Sequence, residues 1–246
     1  MYDKLNPYTL THPLSRERIS NVQNHLNNSK YSDKSPSIEI QKAFERAVVK
    51  LNAFLKSHEI TLEKYPQSDK SINAHYARAI AYYKQPNVEK ALSEIDSLIK
   101  LEPLNPFFKE LKGQILFENG RVKESINYYK KASELLSDSP LLRIILATAQ
   151  ISSFDKELLE DAIINLKYAL LKEKESAFAW RQLAIAYGRN GNLGMSNLSL
   201  AEESLLLNKP KQAKKFLAVA KEHIKEGSPA YLKLQDLQSS LDKKDS

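Results

Sequence analysis

Small side chains recur at a fixed spacing through the middle of the chain, each inside a helical pattern of apolar and polar positions. The spacing is 34, 34 and 37 residues in one series and 34, 37 and 34 in a second. Two helices approach closely only where one of them offers a small side chain, so the pattern predicts repeated pairs of packed helices. The first series is Ala79, Gly113, Ala147 and Ala184, and the second is Ala91, Ser125, Ala162 and Ser196.

Signals for helix starts follow the same segmentation. A capping side chain precedes a proline at Asn105-Pro106, Ser139-Pro140 and Ser228-Pro229, which is typical of the first turn of a helix. We therefore expect at least ten helices and no sheet. Besides the repeated pairs, helices are predicted near 14–27, 38–57, 193–207, 210–225 and 229–240, with 30–37 as a linker.

A period of 34 residues is typical of the tetratricopeptide repeat, a helix-turn-helix unit that stacks on its neighbours. The fourth unit resembles the signature of that repeat at Trp180, Leu183, Ala184, Tyr187 and Gly191. We therefore predict an all-α, tetratricopeptide-like α-solenoid of about four repeats plus flanking helices.

The predicted organisation has two parts. An N-terminal helix and linker occupy 1–37, and the repeat domain spans 38–246. Within the domain, repeats are expected near 72–104, 106–139, 140–175 and 177–208, followed by capping helices over 210–240.

Composition excludes several other classes of protein. Six glycines in 246 residues are too few for the many tight turns of an all-β fold. The absence of cysteine excludes disulfides and thiolate zinc sites. The sequence contains no signal peptide and no apolar run of roughly 18 residues, so we expect a chain that does not span a membrane.

The net charge of +7 raises the possibility of nucleic-acid binding. A nucleic-acid-binding protein concentrates lysine and arginine on one face or stripe. Residues 71–204 instead carry 17 basic and 17 acidic side chains, and the surplus lies at the two ends. We therefore expect no nucleic-acid partner.

Catalytic motifs are missing as well. His58-Glu59 begins a zinc-hydrolase pattern, but Leu62 stands where the second histidine is required. No glycine-rich phosphate loop and no G-x-S-x-G motif occurs. We predict that this chain is not an enzyme and holds no metal or cofactor.

The first helices of the repeats are expected to line the concave surface of such a solenoid. The side chains predicted there are mostly aromatic or aliphatic, without a lysine and arginine clamp in the first three repeats. This favours proteins or unfolded polypeptides as partners, or another domain of the same protein, unless flanking helices cover the surface. The predicted binding groove consists of Tyr76, Ile80, Tyr83, Gln114, Phe117, Thr148, Arg181, Ile185 and Arg189.

Several longer runs resemble HtpX-like zinc metallopeptidases, and in particular their periplasmic protease–chaperone branch with a C-terminal tetratricopeptide domain. The run THPLSRERI resembles the segment after their catalytic domain. The other runs extend beyond the positions that all tetratricopeptide repeats share, so their resemblance is to this group of proteins in particular. The runs are THPLSRERI (11–19), YPQSDKS (65–71), ARAIAYY (77–83), NPFFKELKGQILFENGR (105–121), WRQLAIAYGRNG (180–191) and GSPAYLKLQD (227–236).

The resemblance implies a non-catalytic C-terminal interaction domain of a periplasmic zinc metallopeptidase. Its expected partners are client proteins or the outer-membrane-protein assembly machinery, and its own catalytic domain. The zinc ligands of that family, an H-E-x-x-H helix and a downstream glutamate, do not occur here. Zinc is therefore expected in an intact parent, where His12 would lie near the metal and Arg18 could meet active-site carboxylates. The alternative is an independent tetratricopeptide scaffold that joins other proteins in a complex.

Overall fold

The computed structural model describes residues 15–32 and 34–245 of the chain, and these ranges contain thirteen α-helices and no strand. Three helices precede the regular repeats, namely α1 (Ser15–Asn28), α2 (Ile38–Leu55) and α3 (His58–Lys64). The repeats comprise α4 (Ile72–Lys84), α5 (Val88–Leu101), α6 (Pro106–Glu118), α7 (Val122–Leu135), α8 (Pro140–Ser152), α9 (Leu159–Lys172), α10 (Ala177–Arg189) and α11 (Leu193–Leu206). The last two helices are α12 (Pro210–His223) and α13 (Pro229–Asp245).

The prediction of an all-α, tetratricopeptide-like α-solenoid is confirmed. Consecutive helices from α4 to α11 form antiparallel pairs, and each pair packs against the next along the chain. The three-residue insertion in the third repeat forms a loop and a short 3-10 turn over Lys156–Leu158, between α8 and α9.

The predicted caps are present at three helix starts. The side chain of Asn105 accepts a hydrogen bond from the backbone N–H of Phe107, and that of Ser139 accepts one from Leu142. Ser228 caps α13 in the same way. The turn after α6 contains Gly120, which has φ +78°, a conformation that favours glycine.

Small residues allow the helices to pack closely, as their spacing predicted. Ala79, Ala91, Ala147 and Ala162 are fully buried. Four buried apolar clusters follow one another along the repeats. The first is centred on α4, α5 and α6, a small second one on α6, α7 and α8, the next on α8, α9 and α10, and the last on α11, α12 and α13. The stack therefore has a continuous series of cores rather than one centre.

The last two helices depart from the regular pattern. Helix α12 packs more extensively on α11 than on α13, the reverse of the preceding repeats, in which the two helices of a pair have the larger contact. Gly194 on α11 permits this approach, because a Cβ there would lie 2.8 Å from the side chain of Ile224. Helix α13 is consequently left partly separated from α12.

The chain divides into two compact units, with the boundary between Val48 and Val49 inside α2. In the first unit, α1 carries Ile19, Val22 and Leu26 on one face, and all three side chains are exposed. In the first part of α2, Ile40 and Phe44 are exposed as well. The predicted division after residue 37 coincides with the start of α2 and stays a prediction.

Candidate functional site

The structure places the nine predicted groove residues on the first helices α4, α6, α8 and α10, and we call the surface they were expected to form the inner face. Two of them require a correction. Tyr76 is 2% exposed and Ile80 is 0% exposed, so neither side chain is accessible to a partner. Tyr76 and Ile80 belong to the first buried cluster, which also contains Val49 and Ala53 of α2, so the alternative of a covering flanking helix holds at this end of the surface. The repeat spacing, which starts at α4, gave no sign that α2 packs there.

The last two turns of α2 lie against the inner face of the first repeats. Phe54 contacts Tyr83 of α4 edge to face, with ring centroids 6.4 Å apart. Lys50 reaches Glu110 of α6, with 3.3 Å between Nζ and a carboxylate oxygen. Part of the surface predicted to bind a partner is therefore occupied by a helix of this same chain.

Lys84 fixes the end of that helix. Its Nζ donates hydrogen bonds to the carbonyl oxygens of Ala53 and Phe54, at 3.1 and 2.8 Å, and to that of Lys56. These carbonyls have no partner within the helix, and a cation is favourable at this end of the helix dipole. One side chain of α4 therefore both satisfies and anchors the end of α2.

Tyr83 and Gln114 are brought together, with Glu118 as a third member. The Tyr83 hydroxyl donates to one carboxylate oxygen of Glu118, and the Gln114 amide donates to the other at 3.0 Å. Burial raises the pKa of Tyr83 to about 12, and the hydrogen bond to Glu118 acts in the same direction. The phenol therefore stays neutral at physiological pH and acts as a hydrogen-bond donor. Glu118 was not predicted, since an exposed carboxylate at a helix end carries no signal in the sequence.

Phe117 and Thr148 are half-buried, and their side chains mainly contact other residues of this chain. Phe117 packs against Tyr129, with ring centroids 6.4 Å apart, in a small cluster between α6, α7 and α8. The hydroxyl of Thr148 donates to the carbonyl of Ile144 at 2.8 Å. Thr148 therefore offers mainly its methyl group to a partner.

The remaining predicted residues lie on α10. Ile185 is half-buried, and Arg181 is half-exposed and pairs with Glu203 at 2.8 Å. Arg189 donates to the carbonyl of Ile151 at the end of α8, and its guanidinium stacks over the ring of Phe154 at 4.4 Å. We call Thr148, Phe154, Ile185 and Arg189 the open patch.

Phe154 is the most informative residue that the sequence analysis missed. Its side chain is 78% exposed and its φ is +58°, which is unusual for a residue other than glycine. It lies in the insertion between α8 and α9, and the extra residues were its only sequence signal. The strained loop presents an aromatic ring that Arg189 orients by a cation–π contact.

A buried charged network lies away from the inner face. Arg78 is 1% exposed and forms a two-pronged ion pair with Glu94, at 2.8 and 3.0 Å. His75 and Gln67 also bond to Glu94, and Arg78 donates to the carbonyls of Pro66 and Asp69. These hydrogen bonds hold the loop that precedes α4 against both α4 and α5. Its groups bond to one another, which indicates a structural role for this part of the run YPQSDKS.

Among residues 15–32 and 34–245, no group of three or more histidine, aspartate or glutamate side chains is placed to hold a metal ion. His12 lies outside the described residues, and Arg18 is exposed on α1. Over the same ranges, every helix is either too short or too polar to cross a lipid bilayer.

Comparison with known proteins gives a sequence likeness over most of the chain. No family model matches. The beta-barrel assembly-enhancing protease of Escherichia coli (strain K12) is 25% identical over 224 residues, which cover 89% of this chain and 45% of that protein. The chain therefore spans less than half the length of this curated relative.

Solved structures show the fold. YrrB, described as a TPR protein with an unusual peptide-binding site, gives a TM-score of 0.57 at 14% identity, covering 77% of this chain and 96% of that chain. MamA gives a TM-score of 0.53 at 16% identity, covering 70% of this chain and 94% of that chain. Both likenesses agree with the tetratricopeptide-like α-solenoid described above.

Proposed function

We propose that this chain is a non-catalytic, polypeptide-binding tetratricopeptide module whose partners bind at the open patch. The observation that carries the proposal is the position of α2. Its last two turns lie on the inner face at α4 and α6, where Phe54 contacts Tyr83 and Lys50 pairs with Glu110. The inner face thus has the apolar and polar groups needed to hold a polypeptide, and the open patch continues it on α8 and α10.

The chemistry of the open patch suits an extended or partly unfolded chain. Phe154 and Ile185 offer apolar area, while Arg189 supplies a cation held over an aromatic ring. Aromatic and arginine side chains are enriched where proteins bind one another. Such a surface holds a polypeptide without requiring one particular sequence.

We further propose that the module serves a zinc metallopeptidase that acts on outer-membrane β-barrel proteins in the periplasm. Support comes from the likeness to the beta-barrel assembly-enhancing protease, which covers 89% of this chain. On this proposal the zinc belongs to a catalytic domain, and the module delivers the client. The exposed apolar face of α1, formed by Ile19, Val22 and Leu26, is assigned to the contact with that domain.

The test measures binding of a denatured outer-membrane porin after dilution from urea, by biolayer interferometry on the immobilised chain. The double variant Phe154→Ser with Arg189→Glu is expected to weaken binding at least tenfold. Phe154 and Arg189 are both exposed, and an unchanged urea denaturation midpoint of the double variant shows that the loss arises at the surface rather than from unfolding. The matched control is Phe107→Ser, an exposed phenylalanine at the start of α6, which is expected to bind like the wild type.

A double variant that binds the porin as tightly as the wild type overturns the proposal. A second arm uses carboxymethylated α-lactalbumin, a permanently unfolded protein with no β-barrel. Preference for the porin supports a role in handling outer-membrane proteins. Equal affinity for both favours the independent scaffold instead.

A further inference from the structure

A second apolar surface lies on the other side of α10. It is a cleft of about 950 Å³ between the second helices α9 and α11, with α10 as its floor and the start of α13 at one end. The floor consists of Trp180, Leu183 and Tyr187, which are one stripe of α10. The inner face uses the opposite stripe, at Arg181, Ile185 and Arg189. We call this second surface the outer cleft.

The outer cleft exists because α13 does not close against its neighbours. Ser228, Pro229 and Ala230 line its end, where a regular repeat would place a tightly packed helix. Lys233 of α13 crosses the opening, since its Nζ lies 2.8 Å from Glu202 of α11 and 4.3 Å from the centre of the Trp180 ring. Leu171 on the rim is 73% exposed, although it lies beside an apolar floor.

The charge of the outer cleft is uneven. Glu202 is paired with Lys233, so these two lining charges compensate each other. Lys167 and Lys174 also line the outer cleft, and over residues 15–32 and 34–245 neither has an ion-pair partner. The acidic neighbours of Lys174, Glu173 and Glu175, are not among the lining residues. An occupant therefore meets an apolar floor beside two uncompensated positive charges.

The spacing of these two lysines selects the kind of occupant. Lys167 lies on α9, and Lys174 follows the non-helical C-cap residue Glu173, so five residues of helical rise and two residues of turn place their Cα atoms at most about 14 Å apart. Residues at i and i+7 of a helix are about 10 Å apart and face the same side, with i+3 and i+4 between them, so two acidic residues at this spacing lie within reach of both lysines. A fatty acid has one carboxylate and matches only one of the two lysines.

We propose that the outer cleft binds an amphipathic helix of a partner protein, with acidic residues at i and i+7 and large apolar residues at i+3 and i+4. The apolar residues rest on the partly exposed Trp180 and the exposed Leu171, and the carboxylates pair with Lys167 and Lys174. This is helix-in-groove recognition. It goes beyond the proposed function, because it uses different residues and a folded rather than an unfolded segment.

The test is isothermal titration calorimetry of the whole chain with an alanine-rich helical peptide carrying glutamate at i and i+7 and leucine and phenylalanine at i+3 and i+4. The double variant Lys167→Glu with Lys174→Glu is expected to weaken binding at least tenfold. The matched control is Lys123→Glu with Lys130→Glu, because these exposed lysines of α7 are also seven residues apart. Lys130 occupies in α7 the place of Lys167 in α9. The control is expected to bind like the wild type, and added salt to weaken binding to both.

A second pair of variants tests the apolar contact at the rim of the outer cleft without disturbing charge. Leu171→Ser is expected to weaken binding at least threefold, whereas Leu104→Ser, at a leucine that is 76% exposed and far from the outer cleft, leaves it unchanged. The Phe154→Ser with Arg189→Glu variant is expected to bind the helical peptide normally. This separates the failure of one proposal from the failure of the other.

Four results overturn the proposal. One is a wild-type chain that does not bind the helical peptide, and another is an equal loss in the control on α7. A third is laurate displacing the peptide at equal concentration, which assigns the outer cleft to a single-carboxylate amphiphile. The fourth is a dimer in sedimentation that Leu171→Ser dissociates, which assigns the outer cleft to a second copy of the chain.

Discussion

Gly113 shows how the absence of a side chain at one position sets the spacing of two helices. The ring of Tyr129 on α7 crosses α6 at this residue, and a Cβ added there would lie 2.7 Å from two ring carbons. Any larger residue would displace the Tyr129 ring or α7 itself, because a packed interior has little room to absorb the overlap. The small residues of the repeat thus act as points of contact between helices.

The buried carboxylate of Glu94 makes stability depend on pH. Burial acts to raise its pKa, but hydrogen bonds from Arg78 and His75 outweigh burial and hold the pKa below the usual 4.5. The unfolded chain therefore binds a proton at higher pH than the folded one. The contribution of Glu94 to stability is complete above about pH 5 and is lost as the pH falls through its lowered pKa.

Glu94→Gln is expected to lower the free energy of unfolding at pH 7 by about 3 kcal/mol, because it leaves Arg78 buried without its counter-ion. The variant should also lose less stability than the wild type on acidification. Urea denaturation at several pH values from about 7 to 3 measures both effects. Glu89→Gln, at an exposed carboxylate of the same helix, is the control and should follow the wild type. Parallel pH curves for Glu94→Gln and the wild type would contradict this explanation.

At the scale of the helix, the attachment of α2 depends on Lys84. Replacing it by methionine keeps much of the side-chain volume but removes the donor to the carbonyls of Ala53 and Phe54. Lys84→Met is expected to increase hydrogen exchange of the amides of residues 49–56 at least fivefold, with a loss of about 1 kcal/mol in overall stability. Hydrogen exchange with mass spectrometry measures the first effect and urea denaturation the second.

Lys100→Met supplies the comparison, since Lys100 is an exposed lysine near the end of α5. Its exchange pattern should match that of the wild type. If residues 49–56 exchange equally in both variants, the end of α2 is held by apolar contacts such as Phe54 with Tyr83 rather than by Lys84.

The helices themselves were largely predictable, because their signals are local. Small residues at a period of 34, capping serines and asparagines, and the glycine after α6 each act within a few residues of their position. Contacts between elements that break the repeat were not predictable in this way. The burial of Tyr76 and Ile80 depends on α2, and the Arg78 to Glu94 pair joins residues on different helices. Such contacts depend on three-dimensional neighbours that no spacing in the chain encodes.

The open patch was predicted in part for the same reason. Thr148 and Ile185 follow from repeat positions on α8 and α10, and Arg189 lies one residue beyond such a position. Phe154 belongs to an insertion and has no repeat position at all. The outer cleft depends on the departure of α13 from regular packing. Trp180 was predicted as a position of the repeat signature; in the structure it packs against the buried cluster of α8, α9 and α10 on one side and lines the outer cleft on the other.

Because the repeats have a series of buried clusters rather than one core, local unfolding is expected to follow the order of the helices. Each pair of helices contacts only its neighbours, so opening is expected to begin at an end of the stack rather than in its middle. Helix α13 packs less extensively on its partner helix than the other second helices do. Amides of α13 are expected to exchange at least tenfold faster than those of α6 to α9, as measured by hydrogen exchange. Equal protection throughout would mean that the repeats unfold as one cooperative unit.

The position of Trp180 has a practical consequence, because it is the only tryptophan in the chain. Its indole N–H donates to the carbonyl of Lys174 at 2.9 Å, and one side of the ring faces the outer cleft. Its fluorescence is therefore an unlabelled reporter of that surface. A helix seated in the outer cleft would displace water from the ring and shift the emission to shorter wavelength, whereas a polypeptide on the open patch would leave the spectrum unchanged.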